Sequence, residues 1–336
     1  MPGNSSATRR LQTAGICLGL AIFGSGCSEK TNTLTGKALG TTWTVKVRTA
    51  QPLDPQELRS AIATTIEEAE AILSHWRPDA ELYQFNQALT SAPLAVHPLL
   101  HDLLLHARRV HADSAGAFDP TIAPLVNLWG FGPVQATRTT LPTAQEIQQA
   151  KIHLGMGLLE ILPRHQVRKR QPAVQADLSG SAKGAIIDRV CAMLESRGLD
   201  DHLVEIGGEL RAGSGNWKIA LEDGTLPPGD LAVLQLQDSA VATSGSYRLN
   251  KRGAQSDKPA SHLLDPRTGH PVQHEAVAVN VIAPTARDAD AWATALLVLG
   301  PEEGLKIAKA RNIAVRFCIQ TGDANIQIVS PAYELF

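Results

Sequence analysis

Segments with strand character and segments with helix character do not alternate along this chain, and that irregular order does most to restrict its fold. A period-two run at Thr42-Trp43-Thr44-Val45-Lys46-Val47 reads as a strand. Asp54-Pro55-Gln56-Glu57 then supplies a cap, a proline at the first helical position and a Glu able to reach back. Leu58, Ile62, Ile66, Ala69 and Leu73 continue as one apolar helical stripe. Further helices are expected over Pro98–Asp113, after the Thr143–Glu146 capping box, through Ile186–Leu194, and over Ala286–Leu299 and Glu302–Ala310. Strands are expected at His202–Ile206, Trp217–Leu221, Leu231–Leu236, Ala276–Ala283 and Ile313–Ile319, with Pro227-Pro228-Gly229 as a loop. A doubly wound fold needs regular strand–helix alternation. The order found here favours α+β, with mainly antiparallel sheets flanked by helices in a two-lobed single domain.

The 336 residues allow one large domain or two lobes around a substantial core. A net charge of -2, with no basic cluster, argues against nucleic acid as the main partner. No internal repeat is present. The first residues form a targeting segment: Arg9 and Arg10 precede an apolar run, Leu11–Phe23, that is too short to span a bilayer comfortably. Small residues then lead to Cys27, as in a bacterial lipoprotein signal, whose Cys becomes the lipidated first residue. The resemblance implies a signal peptide over residues 1–26, lipid on Cys27 and a polar tether over residues 27–37. An ordinary cleaved signal and an uncleaved anchor are the alternatives. Ser28 after the Cys favours the outer over the inner membrane, by resemblance to the sorting rule. Of the four cysteines, Cys17 would leave with the signal. Cys191 and Cys318 sit in apolar patterns without a CxxC, as buried small hydrophobes or as one disulfide pair.

Two distant segments look like halves of a cation site. Asp177-Leu178-Ser179-Gly180-Ser181-Ala182-Lys183-Gly184 reads as a strand end, a small-residue turn and a helix start. In Ala289-Asp290-Ala291-Trp292-Ala293-Thr294-Ala295, helical spacing puts Asp290 and Thr294 one turn apart on one face. A carboxylate, a hydroxyl and a turn carbonyl are hard oxygen ligands of the kind Mg²⁺ takes, with water and phosphate in its other positions. No Walker A sequence or complete dinucleotide fingerprint accompanies them.

Gly116-Ala117-Phe118-Asp119-Pro120-Thr121, followed by Trp129 and Phe131, is either a packed loop or a wall for a flat heterocycle. Glu205-Ile206-Gly207-Gly208-Glu209 marks a tight turn or a close approach to ligand. Thr243-Ser244-Gly245-Ser246-Tyr247-Arg248 is a hydroxyl-rich turn. His262, before Leu263-Leu264-Asp265-Pro266-Arg267-Thr268-Gly269, is either a structural histidine or a general base working near neutral pH. His97, His101, His106 and His111 lie on the Pro98–Asp113 segment or just before it, where a solvated face is expected rather than a metal cluster. His75, His153, His165, His202, His270 and His274 are assigned no function.

Taken in order, Leu39-Gly40-Thr41-Thr42-Trp43, Trp76-Arg77-Pro78-Asp79 with Phe85-Asn86, Gly116–Thr121, Asp177–Gly184 with Asp188, Ile206-Gly207-Gly208, Thr243–Gly245, His262–Gly269 and Asp290–Thr294 resemble the FAD:protein FMN transferase (ApbE) family. The resemblance runs from Leu39 to Leu299 and implies a catalytic domain over residues 38–336. It implies transfer of the FMN half of FAD onto a Thr or Ser hydroxyl of an acceptor protein, with AMP released. Leu39, Trp76, Ala117, Phe118, Asp119, Asp177, Lys183 and Leu264 would contact FAD, Trp76 by stacking on the isoalloxazine. The Gly180 carbonyl, Asp290 and Thr294 would hold Mg²⁺, and His262 would be the base. Lys183 would add a point charge or pair with Asp188. Ala80 stands where the family often has Ser, and Leu39 where it more often has Met. The acceptors implied are periplasm-facing subunits of membrane redox complexes carrying a Ser/Thr motif, with this chain lipid-anchored on the periplasmic side.

Two other classes compete. A FAD pyrophosphatase giving FMN and AMP would gain from further acidic ligands, and only Asp288 is near; two residues from Asp290, it should face elsewhere. A non-catalytic flavin-binding lipoprotein would keep Trp76 and Phe118 without needing His262, Asp290 and Thr294 together.

Overall fold

The computed structural model describes residues 30–134, 140–221, 223–224, 232–245, 250–251, 260–321 and 324–336. The segment read as a signal, with Cys17 and Cys27, the loop expected at Pro227–Gly229 and the Ser246–Arg248 end of the expected hydroxyl-rich turn lie outside the described residues.

The main sheet has eight strands, standing side by side in chain order: β1 (Lys30–Ala38), β2 (Thr41–Thr49), β3 (His202–Ile206), β4 (Glu209–Ala212), β5 (Ser239–Gly245), β6 (Ala276–Ala283), β7 (Ala314–Thr321) and β8 (Ala324–Val329). Every neighbouring pair is antiparallel. The helices enter as insertions between strands: α1 (Pro55–Leu73), α2 (Glu81–Gln87), α3 (Pro98–Asp113), α4 (Ala123–Leu128), α5 (Ala144–Lys151) and α6 (Ser179–Ser196) between β2 and β3, and α7 (Ala286–Arg311) between β6 and β7. The chain is therefore α+β with an antiparallel sheet.

The sheet separates two layers. Trp43, Val45 and Val47 of β2 pack into the large core with the α1 stripe Leu58, Ile62, Ile66, Ala69 and Leu73. The other face meets the hairpin Trp217–Leu221/Ala232–Leu236 through Leu203, Leu210, Val241 and Ile282. Strand β5 is buried on both faces, with Ala240 and Ala242 in one core and Val241 in the other. Its small residues carry no alternation of polarity, so no strand is expected there from sequence.

The helix starts follow local chemistry. Asp54 accepts from the Gln56 and Glu57 N–H groups, and Thr143 and Glu146 form the reciprocal capping box. The two helices expected at the end run on as α7, broken at Gly300 (φ 75°, ψ 175°) where Pro301 forbids continued helical backbone before it.

Two expectations are corrected, and one open alternative is decided. The stretch read as part of a polar tether at 27–37 is, from Lys30 onward, strand β1, with Leu34 opposite Val45 and Gly36 opposite Trp43. Its threonines favour extended backbone and face outward, while Leu34 is buried. Gly36 makes room for the Trp43 indole, since a Cβ there would lie 2.4 Å from that ring. The histidines of α3 do not form a solvated face. His101 and His106 are buried, bonded to the Leu162 carbonyl and the Asp288 carboxylate, and His97 caps the helix. Cys191 and Cys318 are buried free thiols rather than a pair, and burial pushes both thiol pKa values up.

Candidate active site

Helix α6 begins two residues after Asp177, so Gly180 lies inside its first turn rather than in a turn before it. Gly180 and Gly184 form the face on which α7 rests. A Cβ on Gly184 would lie 2.2 Å from the Ala286 carbonyl oxygen, and one on Gly180 would lie 2.9 Å from Thr294 Oγ1. This close crossing brings Gly180, Asp290 and Thr294 to the wall of a cavity of about 320 Å³. Asp290 is buried, and its Oδ2 accepts the Gly184 N–H at 3.0 Å. Burial pushes its carboxyl pKa up, against the opposing pull of the Lys183 ammonium and the Gly184 N–H. Among the described residues no three His, Cys, Asp or Glu gather as a metal cluster. A cation here would rest on one buried carboxylate and neutral oxygens, a donor set that fits Mg²⁺ sharing its shell with water and phosphate.

Asp188 is not the partner of Lys183. Its carboxylate accepts from the Ala286 and Arg287 N–H groups and from Arg211, so it caps α7. Lys183 Nζ instead reaches Glu209 Oε1 at 2.6 Å. Asp288 turns away from the cavity to His106 and Thr285, as a spacing of two residues from Asp290 requires.

The opposite wall is built from loops. Asp119 Oδ1 accepts from Thr121 N at 2.8 Å and Thr121 Oγ1 at 2.5 Å; Asp177 Oδ1 accepts from Ser179 N at 2.8 Å and Ser179 Oγ at 2.5 Å. Both are side-chain-to-backbone clamps reaching two residues on. They are joined, since the Asp177 N–H donates to the Pro120 carbonyl at 2.7 Å. Burial raises the Asp119 carboxyl pKa, opposed by its bonds to Thr121 and by nearby His111. Asn86 grips both backbone polar groups of Ala176, and Lys169 Nζ bonds the Ala88 carbonyl at the end of α2. Ala117 and Phe118 also line the cavity, and Trp76, 53% exposed, stands at its edge.

His262 lies at a bend between the short strands Ala260–Ser261 and Leu264–Asp265. It lines the cavity with Leu264, its ring 6.3 Å from the Phe131 ring at 68°. The turn that follows is held by the Gly269 N–H on the Asp265 carbonyl and by Trp129 Nε1 on the Gly269 carbonyl. Leu39 stands apart from the other expected contacts. With Gly40 it forms the two-residue β1–β2 turn, both at positive φ, and lines an adjoining chamber of about 420 Å³. The two chambers share His75, Trp76, Ser179 and Lys183.

Three wall residues lie outside the set of site residues expected from sequence, Thr243 although its motif is part of the family pattern. His75 was assigned nothing. Glu209 was only the end of a glycine turn. Thr243 proves to be the end of a polar ladder across β5, β6 and β7: Asn280 Nδ2 donates to Thr243 Oγ1, and Arg316 Nε donates to Asn280 Oδ1, each at 2.8 Å. A Thr followed by distant Asn and Arg leaves no local signal, although a lone Arg within an apolar strand pattern does ask for a buried partner.

The ApbE family model matches residues 39–317. The FAD:protein FMN transferase of Klebsiella pneumoniae (strain 342) is 34% identical, with 95% of each chain covered. That of Escherichia coli (strain K12) is 32% identical, again with 95% of each covered. Among solved structures, the flavin transferase ApbE from Vibrio cholerae superposes with a TM-score of 0.84 at 34% identity, covering 92% of this chain and 99% of that one. The apo form of Pseudomonas stutzeri flavinyl transferase ApbE gives 0.83 at 32% identity, covering 91% and 96%.

Proposed function

Because this chain belongs to the ApbE family, we propose that it is a FAD:protein FMN transferase that moves FMN from FAD onto a Thr or Ser hydroxyl of an acceptor protein. The observation that carries the reading is the convergence of His262, Lys183, Asp290 and Thr294 on one cavity that also holds the aromatic and carboxylate wall. His262 accepts the proton of the acceptor hydroxyl, an otherwise weak nucleophile. The hydroxyl oxygen attacks the FMN phosphorus, the bond to the bridging oxygen breaks, and AMP leaves. Lys183 exchanges part of its contact with Glu209 for a phosphate oxygen and adds positive charge. Mg²⁺, which the Gly180 carbonyl, Asp290 and Thr294 would hold, supplies charge neutralisation at the diphosphate when bound. Positioning and electrostatics are the main resources of such transfers.

The arrangement supports transfer over hydrolysis. Asp288, the nearest further carboxylate in sequence, is committed to His106 and Thr285, and Glu209 is committed to Lys183. We also propose that the enzyme is anchored through lipid on Cys27 at the periplasmic side, the outer membrane favoured over the inner, and that it serves periplasm-facing subunits of membrane redox complexes. The support is Arg9-Arg10, the apolar Leu11–Phe23 run and the small residues before Cys27. No helix among the described residues is long and apolar enough to cross a membrane.

The test is incubation with FAD, Mg²⁺ and a Ser/Thr acceptor domain, read as in-gel flavin fluorescence on the acceptor. Free FMN formed without acceptor would identify a pyrophosphatase, and no turnover under any condition would leave only a flavin-binding protein. His262→Ala should retain FAD binding and lose roughly two to four orders of magnitude in transfer rate. Transfer at the wild-type rate would remove His262 from the mechanism.

A further inference from the structure

The two chambers share a boundary, and that boundary carries an imidazole with no role in the mechanism above. His75, Trp76, Ser179 and Lys183 line both spaces. His75 is 8% exposed and makes no hydrogen bond among the described residues. Its nearest carboxylate oxygen, Asp177 Oδ1, lies 3.7 Å from Nδ1, beyond hydrogen-bond reach, and is already taken by the Ser179 N–H and hydroxyl. Its ring stands beside Trp76, centroids 5.4 Å apart at 44°. Neither of its ring nitrogens is sealed from solvent without a partner, so the unbonded imidazole opens onto the cavity space and stays available to a ligand.

A dinucleotide consists of two flat ends joined by a thin diphosphate. With one end in each chamber, the diphosphate is the part that crosses their shared boundary. We propose that His75 is a further ligand-contacting residue, donating a ring N–H to a diphosphate oxygen there, opposite the Lys183 ammonium and beside the N–H groups that open α6. The proposal rests on the reading of FAD as substrate. Trp76, at the chamber edge, holds the ring in place, and the Ser179 clamp keeps Asp177 from competing for its N–H.

The test uses the full chain with two substitutions. His75→Phe keeps a ring beside Trp76 and removes the donor; His75→Gln keeps a donor. Binding of FAD, of ADP and of riboflavin, which lacks phosphate, is measured for each, alongside the melting temperature. His75→Phe should weaken FAD and ADP by about tenfold each, the scale of one hydrogen bond to a charged group, and leave riboflavin unchanged. His75→Gln should recover most of the loss. In turnover, the change should fall on KM for FAD rather than on kcat. The proposal is overturned if His75→Phe binds ADP as wild type does, if both variants lose alike, or if riboflavin weakens in step with ADP, which marks a packing role. A wild-type chain that binds neither FAD nor ADP overturns the functional reading itself, a result distinct from all of these.

Discussion

On one side of the cavity, Asp290 and Thr294 stand on a helix that rests against the glycine face of another helix. On the other side, Asp119 and Asp177 stand on loops, each carboxylate gripped by the residue two positions on. The first side is rigid because backbones touch. Nothing larger than glycine fits at residue 184, and Asp188 pins the start of α7 from the same helix. The second side is rigid because polar groups are satisfied one by one, with Asn86 and Lys169 holding the chain behind it. The difference fits the tasks proposed for the two sides. A hard cation needs few ligands at fixed distances, which a helix crossing supplies; a large flat ligand needs an extended surface with a few oriented acceptors, which clamped loops supply.

The sharpest way to break this contrast is at Asp290. Asp290→Ala should lower the divalent-ion-dependent rate by at least the 10–100-fold typical of disturbed metal surroundings, with FAD wall contacts kept; a titration of rate against Mg²⁺ identical to wild type would refute the assignment. Gly184→Ala comes next. The added methyl meets a carbonyl oxygen at 2.2 Å, so α7 must shift, costing roughly 1–3 kcal/mol in urea melts and weakening the ion dependence in parallel. Stability and ion dependence both unchanged would mean that the crossing does not hold the site. On the wall, Thr121→Val removes the hydroxyl that bonds Asp119 and accepts the Gly155 N–H. A loss of about 1.4 kcal/mol, a tenfold rise in KM for FAD, is expected with Mg²⁺ dependence unaltered. A change in Mg²⁺ dependence instead would show that the two sides are not separable.

The smallest effect concerns what stands behind the wall. Burial lowers the Lys169 ammonium pKa to about 8, while an unfolded lysine titrates near 10.4. Between those values the unfolded chain binds more protons than the folded one, so stability should rise with pH, by at most about 1.4 kcal/mol per unit. Below that window the ammonium is charged in both states and its burial cost is fully present. Lys169→Met should remove this rise; equal slopes for the two proteins in urea melts across the window would disprove it.

Much of the fold was legible because its signals are short. The caps at Asp54 and Thr143 act within three residues, and the α1 stripe repeats within one turn. Strand β1 was missed because five of its nine residues are Thr or Lys facing water, and only pairing with β2 shows that Leu34 faces a core. The α3 histidines were misjudged because polarity alone does not reveal a buried acceptor such as Asp288 on another helix. In the site, the side chains with distinctive chemistry were readable: His262, Lys183, Asp119, Asp177, Asp290 and Thr294 all reach one cavity. Leu39 reaches the neighbouring chamber because a tight turn, not a strand, presents it.

The sequence by itself determined the starts of α1, α3, α5 and α7, the α+β order and the set of motifs that mark the family, since each depends on groups a few residues apart. Only the tertiary structure decided that Lys183 pairs with Glu209 rather than Asp188, that Thr243 is held through Asn280 by Arg316, and that His75 lines both chambers. The residues in these contacts come from different elements and meet only when sheet and helices pack, so no local pattern in the chain announces them.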